Sequence, residues 1–262
     1  IPSKIRSSIY SLENIDHLYN GIFAVMEDNL SSPLMGKLFP EGNGLVHLRD
    51  SYIHLFAVSK FEDPVEKLAS IIGESPELLN NLLENMDSNY SVFYIWKDAE
   101  KTKKRWIEAP NEDLKRVQRK LMHHIFYRIA PTKFAHGFVR GKSIVSNANE
   151  HIGKKFVLKM DLKNFFPSIT KGMIYSSMED ILDNVTGPVI TKAIDLCLLG
   201  QRLPQGAPTS PVLSNIYMRY VDLSLWGIAK KFNISYSRYA DDLIFSSDSD
   251  ILYKIIPMVK KC

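Results

Sequence analysis

Residues 234–246 read ISYSRYADDLIFS, and the fold turns on this stretch. Ile234 to Tyr239 has the β-branched and aromatic content of a strand, and Leu243 to Ser246 has that of another. Ala240-Asp241-Asp242 lies between them, so the segment is expected to form a hairpin with two aspartates at its tip. Eighty residues upstream (241 − 161), an apolar run from Phe156 to Met160 ends at Asp161. That run reads as a buried strand whose end delivers a third carboxylate. Two strand-borne carboxylate sites are what a two-metal phosphoryl-transfer centre needs. Mg²⁺ is a hard cation that takes oxygen ligands, and two ions about 3.5–4 Å apart stabilise both the attacking and the leaving oxygen. An Asp-Asp pair is also ordinary turn chemistry, so spacing alone leaves both readings open.

The intervening sequence narrows the choice. Leu203 to Pro211 has three prolines and a glycine in nine residues, which demands a shaped loop. Gly206 would let backbone approach a flat ligand closely, and Gln205 offers a hydrogen bond to a sugar or phosphate. Ser210-Pro211 then opens a helix with Leu213, Ile216, Tyr220 and Leu223 on one face. Another helix is expected to start near Thr170.

Upstream, Val65 to Glu84 reads as two helices, the second capped by Ser75-Pro76. Two packed helices account for it; a DNA-binding helix-turn-helix is the other reading. Ser91 to Lys97 and Arg105 to Ile107 form a hairpin rich in lysine. A helix from Asn111 to about Ile129 carries Leu114, Val117, Leu121, Ile125 and Ile129 at helical spacing. Its other faces bear Lys115, Arg116, Arg119, Lys120 and Arg128. A basic hairpin beside a basic helix suits phosphate, and equally suits a solvated charged face.

Composition sets only broad bounds. The 262 residues include 33 Lys+Arg against 29 Asp+Glu, an excess too small to argue for nucleic acid by itself. Two cysteines, Cys197 and Cys262, exclude a disulfide framework and fit a reducing cytoplasm. No apolar run approaches a membrane span, and the first residues show no signal-peptide pattern. The chain begins with Ile and reads as part of something longer.

Five motifs in order resemble those of bacterial reverse transcriptases. Tyr239-Ala240-Asp241-Asp242 is similar to the family's YxDD box, and Leu203-Pro204-Gln205-Gly206 to its LPQG loop. Met160-Asp161-Leu162 with Phe165-Phe166 resembles the first catalytic motif. Arg105, Ile107, Pro110, Leu114-Lys115 and Gln118-Arg119 resemble a fingers motif, and His136-Gly137-Phe138 with Gly141-Lys142-Ser143 the next. Gly141-Lys142-Ser143 is no P-loop, because the position five residues before Gly141 is His136. Within the family, Asn147-Ala148-x-x-His151 resembles the NAxxH element of retron enzymes, which use a dedicated structured RNA as template and primer. Alternatively, this is a helix whose Asn and His cap backbone.

The resemblance implies an α+β fold: the fingers and palm of a right-hand polymerase, with an antiparallel palm sheet backed by helices and the thumb beyond residue 262. It divides the chain into an extension at 1–63, fingers at 64–155 and palm at 156–262. It implies two Mg²⁺ ions held by Asp161 and Asp241, with Asp242 a weaker or outer ligand and the Leu162 carbonyl assisting. Arg105 would grip the incoming triphosphate. Phe166 would sit under the sugar, and Gln205 and Gly206 would line the nucleotide pocket. Asn147 and His151 would hydrogen-bond the RNA, with Lys115, Arg119 and Arg140 supplying non-specific attraction. The implied partners are a structured non-coding RNA, deoxynucleotide triphosphates, the DNA product and an effector protein, in a bacterial cytoplasm without a membrane.

Two features depart from the pattern. The Lys97–Arg105 turn lacks the glycine usual in bacterial members, and residues 1–63 match no retron segment. The rival readings are a group II intron-like enzyme, a defence-associated enzyme, and an inactive RNA-binding scaffold. The clustered carboxylates argue against the last, because like charges have no structural reason to crowd.

Overall fold

The structure, a computed structural model, describes residues 63–178 and 187–262. The expected extension at 1–63 therefore lies outside the described residues, save for Asp63. That aspartate caps helix α1 (Pro64–Ile72), its Oδ1 accepting from the Val65 amide at 2.6 Å, and Gly73 ends the helix in the left-handed region at φ 63°. Helix α2 (Pro76–Glu84) follows, with Ser75 Oγ accepting from the Leu78 amide.

Strands β1 (Tyr90–Trp96) and β2 (Lys104–Pro110) pair antiparallel in register from Tyr90↔Pro110 to Trp96↔Lys104. Lys101 takes φ 58° at the turn, the conformation that a glycine would otherwise supply. Asp98 closes this turn, its carboxylate accepting from the amides of Thr102 and Lys103 and from the Thr102 hydroxyl. The glycine missing from the sequence pattern is thus replaced by a strained lysine and an aspartate brace.

Helix α3 (Glu112–His124) is shorter than its apolar spacing predicts. The chain leaves it at Ile125 and makes a 3-10 turn over Phe126–Arg128. In a continued α-helix Phe126 would point about 120° away from the Leu114 stripe. The tighter turn lets Ile125, Phe126 and Ile129 all be buried. α1 packs on α3 and on helix α7 (Gly187–Asp195).

The second sheet has strand order β3-β5-β4, all antiparallel: β3 (Phe156–Asp161), β4 (Ser235–Tyr239) and β5 (Asp242–Ser247). Between Ser143 and Glu150 lies the short helix α4 (Ile144–Asn149). α5 (Phe165–Ser168) and α6 (Lys171–Ser176) follow β3, and α6 is capped by Thr170 as expected. Helix α8 (Ser210–Lys231) packs behind β4, and α9 (Ile256–Val259) closes the chain. Met160, Leu243 and Arg238 are cross-strand partners, as are Leu158, Phe245 and Tyr236, so these six share one face. Asp161, Asp242, Lys159, Ile244, Ser237 and Ser246 share the other.

Two expectations are corrected. β3 is an edge strand rather than a buried one: Val157 is 59% exposed and Phe156 38%. The buried strands are β4 and β5, whose polar residues disguise them. In α8, Tyr220 is exposed and Leu223 half-buried, while Arg219, Asp222, Leu225 and Ala229 are buried. The helix turns a charged residue inward because Asp222 has a partner there.

Candidate active site

The turn between β4 and β5 is the two-residue Ala240-Asp241 link beneath the Tyr239↔Asp242 pair. Ala240 takes φ 55°, the sense that tight hairpins require at the first turn position. Asp161 is the cross-strand partner of Asp242, and the Leu162 amide donates to the Asp241 carbonyl at 3.0 Å. One carboxylate oxygen from each of Asp161, Asp241 and Asp242 lies within 4.8 Å of the others. Asp161 is exposed and the other two are half-buried. Lys159, two residues before Asp161 and on the same face, puts Nζ 2.8 Å from Asp242 Oδ2. Asp242 foremost, then Asp161 and Asp241, hold its ammonium above the ordinary lysine range. An all-oxygen donor set with three negative charges and one flexible counter-charge fits a hard divalent cation.

A buried network fixes this turn from the helix side. Arg238 donates from Nε and Nη2 to the two oxygens of Asp222 at 2.8 and 2.9 Å, and from Nη1 to the Ala240 carbonyl at 3.1 Å. Tyr236 Oη and Thr132 Oγ1 also donate to Asp222. Burial first, and the neighbouring Asp222 carboxylate second, push the Tyr236 phenol well up. Beside β4, residues 134–136 run parallel: Arg238 N–H donates to the Phe134 carbonyl and His136 N–H to the Arg238 carbonyl, both at 2.8 Å. At Gly137 an added Cβ would lie 2.3 Å from the Ala240 nitrogen, so only glycine allows this approach. None of Arg238, Asp222 or Thr132 was singled out from the sequence, because a partnership between residues 132, 222 and 238 has no local signature.

The 203–211 loop is stapled to β2. Glu108 N–H donates to the Gln205 carbonyl at 2.9 Å, and Gln205 N–H returns a bond to Glu108 Oε2 at 3.1 Å. Arg202 grips the same carboxylate with both terminal nitrogens, at 2.8 and 2.5 Å. That guanidinium holds the Glu108 carboxyl below its ordinary range, with the Gln205 amide assisting. A Cβ on Gly206 would stand 2.6 Å from the Glu108 carbonyl oxygen. The glycine therefore serves a backbone-to-backbone approach, where the sequence suggested approach to a ligand. Arg105 is exposed on β2. Phe165 belongs to the core, whereas Phe166 is half-buried and its ring lies 6.0 Å from that of Phe138. Phe138, 51% exposed at φ 61°, belongs to a motif quoted from the sequence but was given no role there.

Asn147 and His151 face inward. Asn147 is 4% exposed, and its Oδ1 accepts from Ser237 Oγ at 2.7 Å. The His151 ring bridges Ser246 Oγ and Ser237 Oγ, 2.7 Å from each. Their hydrogen bonds go to β4 and β5, where the resemblance implied contacts to RNA. Of the basic residues, Lys115 pairs with Glu112, while Arg116 and Lys120 share Glu74. Arg119 and Arg140 are exposed. Three of the five basic residues expected on this helix are thus paired with carboxylates within the protein. Among the described residues no helix is long and apolar enough to cross a membrane.

Residues 95–262 match the protein family described as reverse transcriptase (RNA-dependent DNA polymerase). The chain is 33% identical over 192 residues to the retron Ec86 reverse transcriptase of Escherichia coli, an alignment covering 70% of this chain and 59% of that protein. It is 34% identical over 202 residues to the retron Mx162 reverse transcriptase of Myxococcus xanthus, covering 70% and 42%. It is 36% identical over 162 residues to the retron Mx65 reverse transcriptase of the same organism, covering 55% and 38%. The chain therefore spans less than two thirds of the length of each. With the ordered motifs, the antiparallel sheet and the aspartate cluster all in agreement, the chain belongs to the reverse transcriptase (RNA-dependent DNA polymerase) family and is similar to its bacterial retron members.

Proposed function

We propose that this chain supplies the fingers (64–155) and palm (156–262) of a retron-type RNA-directed DNA polymerase. The observation that carries the reading is the convergence of Asp161, Asp241 and Asp242 at one end of the sheet, with one oxygen of each within 4.8 Å of the others. In the reaction a ribose or deoxyribose hydroxyl of the primer attacks the α-phosphorus of a deoxynucleotide. The new phosphodiester forms as the bond to pyrophosphate breaks, and the hydroxyl proton leaves to solvent.

Asp161 and Asp241 would hold two Mg²⁺ ions, with Asp242 the outer ligand and the Leu162 carbonyl contributing. Bound there, the ions supply electrostatic stabilisation of the attacking and leaving oxygens. The remaining work falls to the chain itself. The Arg238–Asp222 network and Gly137 keep the aspartates in place, which is the positioning that phosphoryl transfer chiefly asks of a protein. Arg105 offers an exposed guanidinium to the triphosphate. The Gln205-Gly206 loop, tied to Glu108, forms a fixed wall to the nucleotide pocket, and Phe166 with Phe138 limits space at the sugar. Arg119 and Arg140 attract RNA phosphates. The similarity to retron enzymes supports a structured RNA as template and primer, with DNA as product.

Primer extension on a heteropolymeric RNA template with Mg²⁺ tests the reading. Asp161→Asn and Asp241→Asn should each reduce incorporation by at least about a hundredfold, because each removes a positioned charge that catalysis needs. RNA affinity, set by basic residues, should change little. Extension near the wild-type level in either variant would overturn the assignment.

A further inference from the structure

The sheet face that bears Asp161 and Asp242 also carries a chain of polar contacts that the chemistry above does not use. Ser237 and Ser246 are both fully buried and lie on the same face as Asp161 and Asp242. Ser237 pairs across the sheet with Ile244, the next pair on that face after Tyr239↔Asp242. α4 and the turn after it press on this face at β4, held by a reciprocal Ser143–Ser146 capping box.

With a neutral ring and Asn147 Oδ1 facing Ser237, the protons in this chain can be assigned in one way. The Ser237 hydroxyl has one hydrogen, and Asn147 Oδ1 can only accept, so Ser237 donates to Asn147. Ser237 Oγ must then accept from His151, which puts the ring proton on Nε2. His151 Nδ1 is left bare and accepts from the Ser246 hydroxyl. The result is a directed chain, Ser246 to His151 to Ser237 to Asn147, in which each hydroxyl is satisfied and the imidazole is neutral. Burial lowers the His151 pKa, in keeping with the neutral ring. Such a chain stiffens what it joins, because each bond polarises the next and a single missing member leaves a buried polar atom unpaired.

We propose that Asn147 and His151 are positioning residues that clamp β4 and β5 on this face and so hold Asp241 and Asp242 against Asp161. The inference rests on the reading of those aspartates as the metal-binding centre. Arg238 grips the same hairpin from the opposite face through the Ala240 carbonyl. The two clamps together leave the aspartate-bearing turn no face on which to shift. This role differs from RNA recognition, because the clamp serves every substrate equally and its far end is a buried serine that RNA cannot touch.

The test uses oligo(dT) annealed to poly(rA), a substrate with no structure to recognise, with dTTP and Mg²⁺. His151→Ala and Ser237→Ala should each lower kcat about tenfold while the KM for dTTP moves less than about twofold, since a small misplacement of reacting groups slows chemistry without weakening binding. His151→Gln carries a donor and an acceptor in one side chain and should recover most of the loss. Mn²⁺ binding followed by electron paramagnetic resonance should weaken in parallel in the two alanine variants and be restored in His151→Gln. Circular dichroism and thermal melts identify any variant that has lost its fold, and His151→Gln with Ser237→Ala keeps the test open if His151→Ala does. Wild-type kcat and Mn²⁺ affinity in folded His151→Ala and Ser237→Ala would overturn the clamp while leaving the site assignment standing. Loss confined to a structured cognate RNA, with poly(rA) extension intact, would overturn it in favour of RNA recognition. A wild-type protein that neither extends nor binds Mn²⁺ would overturn the site assignment and the clamp with it.

Discussion

The guanidinium of Arg238 meets the carboxylate of Asp222 through two parallel hydrogen bonds, in a setting where neither side chain has any exposure. Desolvating two charges is expensive, and only good geometry with further bonds from Tyr236 and Thr132 makes it tolerable. The pair joins α8 to β4, and its third bond, to Ala240, reaches the residue next to Asp241.

Asp222→Ala should therefore destabilise the protein by about 3–5 kcal/mol, because it strands a buried cation. Asp222→Leu combined with Arg238→Met should recover much of that loss but not polymerase activity, since nothing then holds the Ala240 carbonyl. Denaturant unfolding and primer extension on the same samples separate the two effects. Full activity in the stable double variant would show that the Arg238–Ala240 bond is dispensable.

Glu108 makes stability depend on acid. Its carboxyl is held below the ordinary value of 4.5 by Arg202 first and by the Gln205 amide as well. A group with a depressed folded pKa stabilises above its unfolded pKa and loses that contribution as pH falls through the folded one. The loss should begin near pH 4.5 and continue below it. Glu108→Gln should flatten this limb and cost about 1 kcal/mol at neutral pH, a figure reduced for the partly exposed Arg202. Urea unfolding from pH 3 to 7 measures both, and an unchanged acid limb would mean that the pair contributes nothing.

At the sugar, Phe166→Ala should raise ribonucleotide incorporation relative to deoxyribonucleotide by about tenfold, the ratio that about 1.4 kcal/mol of relieved overlap provides. Phe138→Ala, which removes the ring packed on Phe166, should move the ratio in the same direction by less. Competitive incorporation from mixed nucleotides reads it directly. An unchanged ratio in folded Phe166→Ala would exclude a steric role.

The aspartate-bearing hairpin was legible in the sequence because strand, turn and strand are contiguous, although only the ordered motifs set its aspartates apart from ordinary turn chemistry. The same holds for α1, α2 and the β1–β2 hairpin, whose caps and turns are local. What the sequence hid was non-local. Asn147 and His151 look like surface polar residues until Ser237 and Ser246 are seen to receive them, 90 and 95 positions away. Asp222 interrupts the apolar stripe of α8 and drew the expected buried face toward Tyr220, because hydrophobic periodicity has no means of marking a charge that is buried with its partner. β3 misled in the opposite sense: its apolar side chains suggested the middle of a sheet, whereas it forms an edge.

The staple at Glu108 also determines how the β1–β2 hairpin can swing. Four hydrogen bonds, two from Arg202 and two exchanged with Gln205, pin β2 near its C-terminal end. Toward the tip, Tyr94, Trp96 and Trp106 remain exposed, braced by one another and by Lys104 lying 4.0 Å over the Tyr94 ring. The hairpin is thus a lever with its fulcrum at residue 108. Any rotation about that point would displace the tip far more than the Gln205-Gly206 wall beside it.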